Sequence, residues 1–171
     1  AHSPHSRCST SRYALLTGRY CWRTSLKYWV LFGVQCDPLI EKTRPTLASF
    51  LRNNGYRTGM VGKWHLGLSY RKSDGSVAEG WDDADLRKPL ADGPTDHGFD
   101  FFYGISRSHP TSGPRGMKFN GPEQRKGPGW IHNRRIVGAT GKGKQLDGSY
   151  VLKEIGPKLH QKASDFLVSA N

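Results

Sequence analysis

An α/β fold, rich in loops, is what these 171 residues predict, and three observations carry the expectation. Thr46-Leu47-Ala48-Ser49-Phe50-Leu51-Arg52-Asn53-Asn54 has apolar residues at helical spacing and is closed by Gly55, the residue type that tolerates the left-handed turn at a helix end. Residues 57–62 follow at once and read as a short buried strand. A helix thus feeds a strand that feeds a glycine-bounded loop, the order found in an α/β sheet. Only 35% of the chain is hydrophobic while 21 residues are glycine, so loops must carry much of its length.

The first element is a helix that begins at Cys8, in the run Cys8-Ser-Thr-Ser-Arg12-Tyr-Ala-Leu-Leu16-Thr-Gly18-Arg19. Its serines and threonines are expected to supply capping oxygens, residues 13–16 give an apolar anchor, and Gly18 ends it. Cys8 then stands where unpaired N–H groups and the positive end of the helix dipole favour an oxyanion or a thiolate. Arg12 lies one turn further on, at the i,i+4 spacing that places two side chains on one face. A thiolate beside a guanidinium is also the pairing of cysteine-dependent phosphatases. Those use five intervening residues in a loop, and here there are three, which argues against them.

Residues 20–34 are aromatic and irregular and read as a packed loop leaving this helix, and Pro38 and Pro45 bracket a linker. After the strand, Gly62-Lys63-Trp64-His65-Leu66-Gly67 lies where open α/β sheets place their ligands. In an extended segment Lys63 and His65, two apart, point the same way and bring a cation and a proton-transfer group to one site. Asp82-Asp83-Ala84-Asp85 lacks the glycine turn and distal carboxylate of a calcium loop and reads as an exposed loop. Residues 98–104 are a strand-like aromatic segment leading into Ile105-Ser106-Arg107-Ser108-His109. Beyond it, residues 130–133 and 135–137 are candidate hairpin strands, and residues 150–170 show helical spacing with Pro157 near the start. Residues 138–145 nearly match a phosphate-binding loop, but Gln145 replaces the magnesium-binding hydroxyl and Asp147-Gly148 interrupts the helix that should follow.

The net charge of +12 raises the question of a nucleic-acid partner, since clustered Lys and Arg release counterions from a phosphate backbone. The basic residues are scattered, however. Arg71, Lys72, Arg87, Lys88, Arg125, Lys126, Arg134, Arg135, Lys142 and Lys144 sit in glycine- and proline-rich segments with no helical stripe and no interleaved aromatic platform. They read as solvated loops, with attraction to a polyanionic substrate as the second reading, and no nucleic-acid partner is expected. No apolar run approaches the roughly 20 residues that cross a bilayer, so no membrane span is predicted. Cys8, Cys21 and Cys36 show no metal-binding spacing.

The three-residue spacing from Cys8 to Arg12, the Leu16-Thr17-Gly18-Arg19 that follows, and Gly55-Tyr56-Arg57-Thr58 ahead of Gly62-Lys63-Trp64-His65-Leu66-Gly67 resemble the two signatures of the type I sulfatases of the alkaline phosphatase superfamily. In that family the cysteine is oxidised to formylglycine. The family pattern is Cys-x-Pro-x-Arg, and Thr10 stands where the proline is usual, at a position read by the modifying enzyme. The resemblance covers residues 1 to about 109 well and the rest loosely. It implies a partial alkaline-phosphatase-like mixed sheet flanked by helices. Residues 1–171 would be part of a single sulfatase catalytic domain, with an Asp-bearing N-terminal strand and a C-terminal half outside them.

The same resemblance implies catalytic roles for Cys8, Arg12, Lys63 and His65 and substrate contacts for Lys63, Ser108 and His109. Formylglycine at position 8 would also be one ligand of a divalent metal, Ca2+, whose other ligands this chain lacks, so that the chain alone is expected to be inactive. Hydrated formylglycine attacks the sulfur of a sulfate ester and its second hydroxyl then lets sulfate leave. Arg12 holds the diol, Lys63 neutralises a sulfate oxygen and His65 orients or deprotonates the hydroxyl that triggers release. The implied partners are a sulfate-ester substrate, a sulfated polysaccharide among the candidates, and a formylglycine-generating enzyme. The implied location is periplasmic or secreted. With Cys8 modified, Cys21 and Cys36 could pair. Phosphonate or phosphate ester hydrolysis by the same superfamily chemistry, and a non-catalytic polyanion-binding remnant, remain as alternatives.

Overall fold

The computed structural model describes residues 5–31, 38–79, 83–107, 130–137 and 152–170. Three α-helices, α1 (Cys8–Thr17), α2 (Leu47–Asn53) and α3 (Ile155–Ser169), accompany four strands, β1 (Gly59–Lys63), β2 (Phe101–Ile105), β3 (Trp130–His132) and β4 (Arg135–Ile136). The strands form one mixed sheet in the order β1-β2-β3-β4. β1 runs parallel to β2, from Gly59 opposite Phe101 to Lys63 opposite Ile105, while β3 is antiparallel to both β2 and β4. The expected α/β class and the hairpin of β3 and β4 are therefore present.

The ends of α1 and α2 follow local chemistry, but only partly as anticipated. Thr46 caps α2 reciprocally with Ser49: the Ser49 amide donates to the Thr46 hydroxyl at 3.0 Å and the Thr46 amide donates to the Ser49 hydroxyl at 2.8 Å. Such a cap contributes about 1 kcal/mol. Gly18 ends α1 with φ 66° and its amide donates to the Ala14 carbonyl. At the start of α1, by contrast, Arg7 is the capping residue and no side chain caps the helix. Ser9, Thr10 and Ser11 lie inside the first turn, past the point from which a hydroxyl can reach forward. The Thr10 and Ser11 hydroxyls turn back instead, to the carbonyls of Arg7 and His5.

β1 begins two residues later than residue 57 and is half-buried rather than buried, with Lys63 as its last residue. The cause is a knot at Thr58, whose amide and hydroxyl both donate to the Asp100 carboxylate, at 2.8 and 3.0 Å, ahead of the ladder. The two strands approach closely at glycines. A β-carbon on Gly104 would lie 1.7 Å from the Gly62 carbonyl oxygen, and Gly62 itself has φ +134°. Above the sheet, Phe166 of α3 stacks on Phe101 at 5.3 Å between centroids. Tyr13, Ile40, Trp64, Leu66, Phe102 and Ile131 make the centre of the core, each at most 2% exposed.

Residues 69–79 and 83–92 belong to an arm closed by bridges between Ser69 and Ala91 and between Arg71 and Val77. The expected exposed acidic loop is corrected at Ala84 and Asp85, while Asp83 is exposed as expected and Asp82 lies outside the described residues. Asp85 is buried, and it takes two hydrogen bonds of 2.8 Å from Arg87 as well as one from Ser73. The packed loop expected after α1 is corrected too. Residues Cys21–Arg23 form a single 3-10 turn, Cys21 is buried, and Tyr20, Trp22, Tyr28 and Trp29 face solvent. Cys36 and the phosphate-loop-like residues 138–145 lie outside the described residues. Among the described residues, no helix is long and apolar enough to cross a membrane.

Candidate active site

Cys8 opens α1 and is half-buried, at the end of the helix that faces the C-terminal end of β1. Arg12, one turn on, donates through Nη1 to the main-chain carbonyl of Lys63, which ties the helix to the last residue of the strand. The Lys63 side chain in turn hydrogen-bonds Cys8. Burial pulls the Lys63 ammonium below its ordinary range, with the Cys8 charge opposing that shift and Arg12 adding to it. Burial likewise lowers Arg12, and the Cys8 charge again opposes.

His65 completes the group, though not by the strand alternation expected of an extended run. It has φ 57°, in the left-handed region, and its amide donates to the Ser106 carbonyl at 2.7 Å. The ring is 1% exposed, and Nε2 lies 2.9 Å from the Leu31 carbonyl. A carbonyl only accepts, so Nε2 carries the proton in that bond and Nδ1, which has no hydrogen-bond partner among the described residues, presents a lone pair. Burial pushes the imidazole down to about 4, and the charges of Lys63, Arg107 and Arg12 push the same way. His65 is therefore neutral near pH 7.

Arg107 was not among the residues singled out from sequence. It is buried, it follows the end of β2, and its charge acts on His65. Its position at the carboxyl end of the strand parallel to β1 was the available signal, since that edge of an open α/β sheet is where ligands bind. Ser108 and His109 lie outside the described residues, so Cys8, Arg12, Lys63 and His65 are the predicted residues the structure brings together.

The group is rich in cations. Among the described residues, no three His, Cys, Asp or Glu side chains are grouped to hold a metal ion, so these residues do not fit a divalent cation. What they fit is an anion held by Arg12 and Lys63 beside Cys8.

The family model for sulfatases matches residues 1–132. The chain belongs to the sulfatase family. Over 104 residues it is 36% identical to human steryl-sulfatase, a match that takes in 58% of this chain and 15% of that protein. The sulfatase chain thus spans only a small part of the length of that curated relative. A structure solved in work on glycosaminoglycan metabolism by Bacteroides thetaiotaomicron superposes with a TM-score of 0.69 at 20% identity, covering 98% of this chain and 39% of that one. A second, solved in complex with a neocarrahexaose, gives a TM-score of 0.54 at 21% identity over 97% of this chain and 32% of that one. At these identities the likeness is one of fold, the alkaline-phosphatase-like fold of sulfatases.

Proposed function

We propose that residues 1–171 are part of a single sulfatase catalytic domain that hydrolyses sulfate esters with position 8 as a formylglycine nucleophile. The observation that carries this reading is the junction itself, in which Lys63 hydrogen-bonds Cys8 while Arg12, on the same helix, bonds the Lys63 carbonyl. A half-buried first helical residue with a cation beside it fits a small oxidised side chain that must hold and release an anion. Once hydrated, such a residue supplies two hydroxyls on one carbon, one to attack sulfur and displace the ester's alcohol, and one to lose its proton so that the aldehyde re-forms and sulfate leaves.

The chain's own residues have separable tasks in this scheme. Arg12, anchored on main chain, holds the oxygens at position 8. Lys63 neutralises charge on a sulfate oxygen, and Arg107 adds to the positive field there. Nδ1 of neutral His65 takes the proton whose removal releases sulfate. Ser108 and His109 are proposed as further substrate contacts. The described residues do not furnish a site for Ca2+, so no step above uses one, and the 171 residues alone are expected to be inactive. A formylglycine-generating enzyme is the implied maturation partner. A sulfated polysaccharide suits the charge of +12, and a solved relative of the same fold was obtained with a neocarrahexaose.

Trypsin should release position 8 in the peptide of residues 8–12, between Arg7 and Arg12. Mass spectrometry of that peptide, from the full-length protein made with a formylglycine-generating enzyme, should show formylglycine. Unmodified cysteine together with no turnover of an aryl sulfate would overturn the reading. Turnover of phosphonate diesters far above that of aryl sulfates would keep the residue roles and change the substrate.

A further inference from the structure

The proposed chemistry leaves the aromatic residues after α1 without a role. Tyr20 and Trp22 stack with centroids 4.0 Å and planes 11° apart, yet remain 48% and 52% exposed. His5, three residues before Cys8, meets Trp22 edge-on at 5.7 Å. Arg7, directly before Cys8, lies 4.1 Å over the ring of Trp29, which is itself 42% exposed. The end of the same stretch is pinned to the site. The Leu31 amide donates to the Ser9 hydroxyl at 3.1 Å, and the Leu31 carbonyl accepts from His65. Between residues 5 and 31 there are Arg7, Arg12, Arg19, Arg23 and Lys27 and neither Asp nor Glu. Arg23 and Lys27 are exposed.

We propose that residues 20–29 are a subsite for a neighbouring sugar ring of a sulfated oligosaccharide, with Trp22 and Trp29 stacking on ring faces and Arg23 and Lys27 holding sulfates that are not cleaved. The proposal rests on the sulfatase reading of Cys8 and narrows its substrate. A pyranose presents a face of C–H bonds, positive at hydrogen, that matches the negative face of an aromatic ring. Its sulfates project from the ring edge, where the interleaved cations stand. A sterol offers an apolar body but nothing to Arg23 and Lys27. A single-stranded nucleic acid would suit rings and cations alike. Ester sulfate held by Arg12 and Lys63 at the adjoining end of α1 favours the saccharide.

The test uses the full protein carrying Cys8→Ala, which cannot turn over, and titration calorimetry with a sulfated tetrasaccharide, its desulfated counterpart, inorganic sulfate, a sterol sulfate and a single-stranded oligonucleotide. Trp22→Ala and Trp29→Ala should each weaken tetrasaccharide binding about tenfold or more, the scale of losing one stacked ring. Trp22→Phe should recover most of the loss. Arg23→Gln with Lys27→Gln should weaken the sulfated but not the desulfated saccharide, and these exposed changes carry the test if an alanine variant fails to fold. Binding of inorganic sulfate, which reports Arg12 and Lys63, should move less than about twofold in all of them. Tetrasaccharide affinity unchanged by both tryptophan variants, or lost in equal measure for inorganic sulfate, overturns the subsite. Tighter, tryptophan-dependent binding of the sterol sulfate or the oligonucleotide overturns the occupant. Since binding is read without turnover, failure here is distinct from failure of the unsubstituted protein to hydrolyse a sulfate ester.

Discussion

The arm at residues 69–92 and the junction of α1 with β1 handle charge in opposite ways. In the arm the carboxylates Asp83, Asp85 and Asp92 are matched by Lys72 at 3.1 Å, by Arg87 at 2.8 Å and by Lys42 at 3.5 Å. At the junction Arg12, Lys63 and Arg107 gather round His65, and burial is the largest influence on both Lys63 and His65, opposed at Lys63 by Cys8 and at His65 by the Leu31 carbonyl, with neighbouring positive charges adding to it at both. Buried cations held together cost folding energy, and perturbed charges of this kind cluster at functional sites. The charges of the arm are paired within the fold, and those of the junction suit the anion site proposed above.

The largest expected effect breaks the junction chemically while sparing both structures. In the full protein, Cys8→Ala should abolish sulfate-ester hydrolysis with an unchanged thermal melt. Cys8→Ser should attack sulfur and then stall, leaving a covalent sulfate seen by intact mass after exposure to substrate. Full turnover by Cys8→Ala would remove the proposed nucleophile altogether.

Next in size, Lys63→Ala should lower kcat by about 10²- to 10³-fold, the range for losing one donor to a developing oxyanion. Its thermal melt should hold or rise, because burial already disfavours the Lys63 ammonium in the folded protein. A melt that falls as far as the activity does would make Lys63 a structural residue like those of the arm.

Acid should separate the two regions by pH alone. His65 titrates at about 4 when folded against 6.5 when unfolded, so the unfolded chain binds the extra proton first. The stability gained from neutral His65 is complete above about pH 6.5 and is lost as pH falls towards 4, about 3 kcal/mol in all. His97, also buried and shifted down by burial, adds loss in the same direction. Asp85 is shifted the other way by Arg87, and its contribution is lost only as pH falls below the ordinary carboxylate range. Denaturant titrations at pH 7 and 4.5 should therefore differ, and His65→Asn should flatten the difference. An unaltered slope in that variant would show that His65 is not the titrating group.

The smallest effect is reserved for the arm. Arg87→Ala leaves Asp85 buried without its charged partner and should lower the melting temperature by a few degrees, while Kd for inorganic sulfate stays as it was. A changed sulfate affinity would mean the two regions are coupled.

These contrasts also mark what the residues alone could reveal. Gly18 and Gly55 disclosed the ends of two helices because a left-handed residue there has few chemical alternatives, and Lys63 and His65 stood out because strand ends in α/β sheets collect ligands. The left-handed turn at His65 was not legible, since nothing local marks a histidine for that conformation. Asp85 looked like a member of an exposed acidic run, because its burial depends on Arg87 folding back over it. Arg107 passed unnoticed for a related reason: its nearness to His65 comes from β1 and β2 lying parallel, which no short motif encodes. The outward-facing Tyr20 and Trp22 fell within what was read as a packed loop, because bulky rings are usually at least partly buried.

One consequence of the Arg12 bond bears on how the centre can be altered in the laboratory. Its acceptor is the peptide oxygen of residue 63, not a side chain. The guanidinium keeps its anchor whatever amino acid occupies that position, provided the strand stays in register. Saturation mutagenesis at codon 63 therefore reads out the ammonium by itself, and a library built there can search for new leaving-group preferences without loosening the helix that carries the proposed nucleophile.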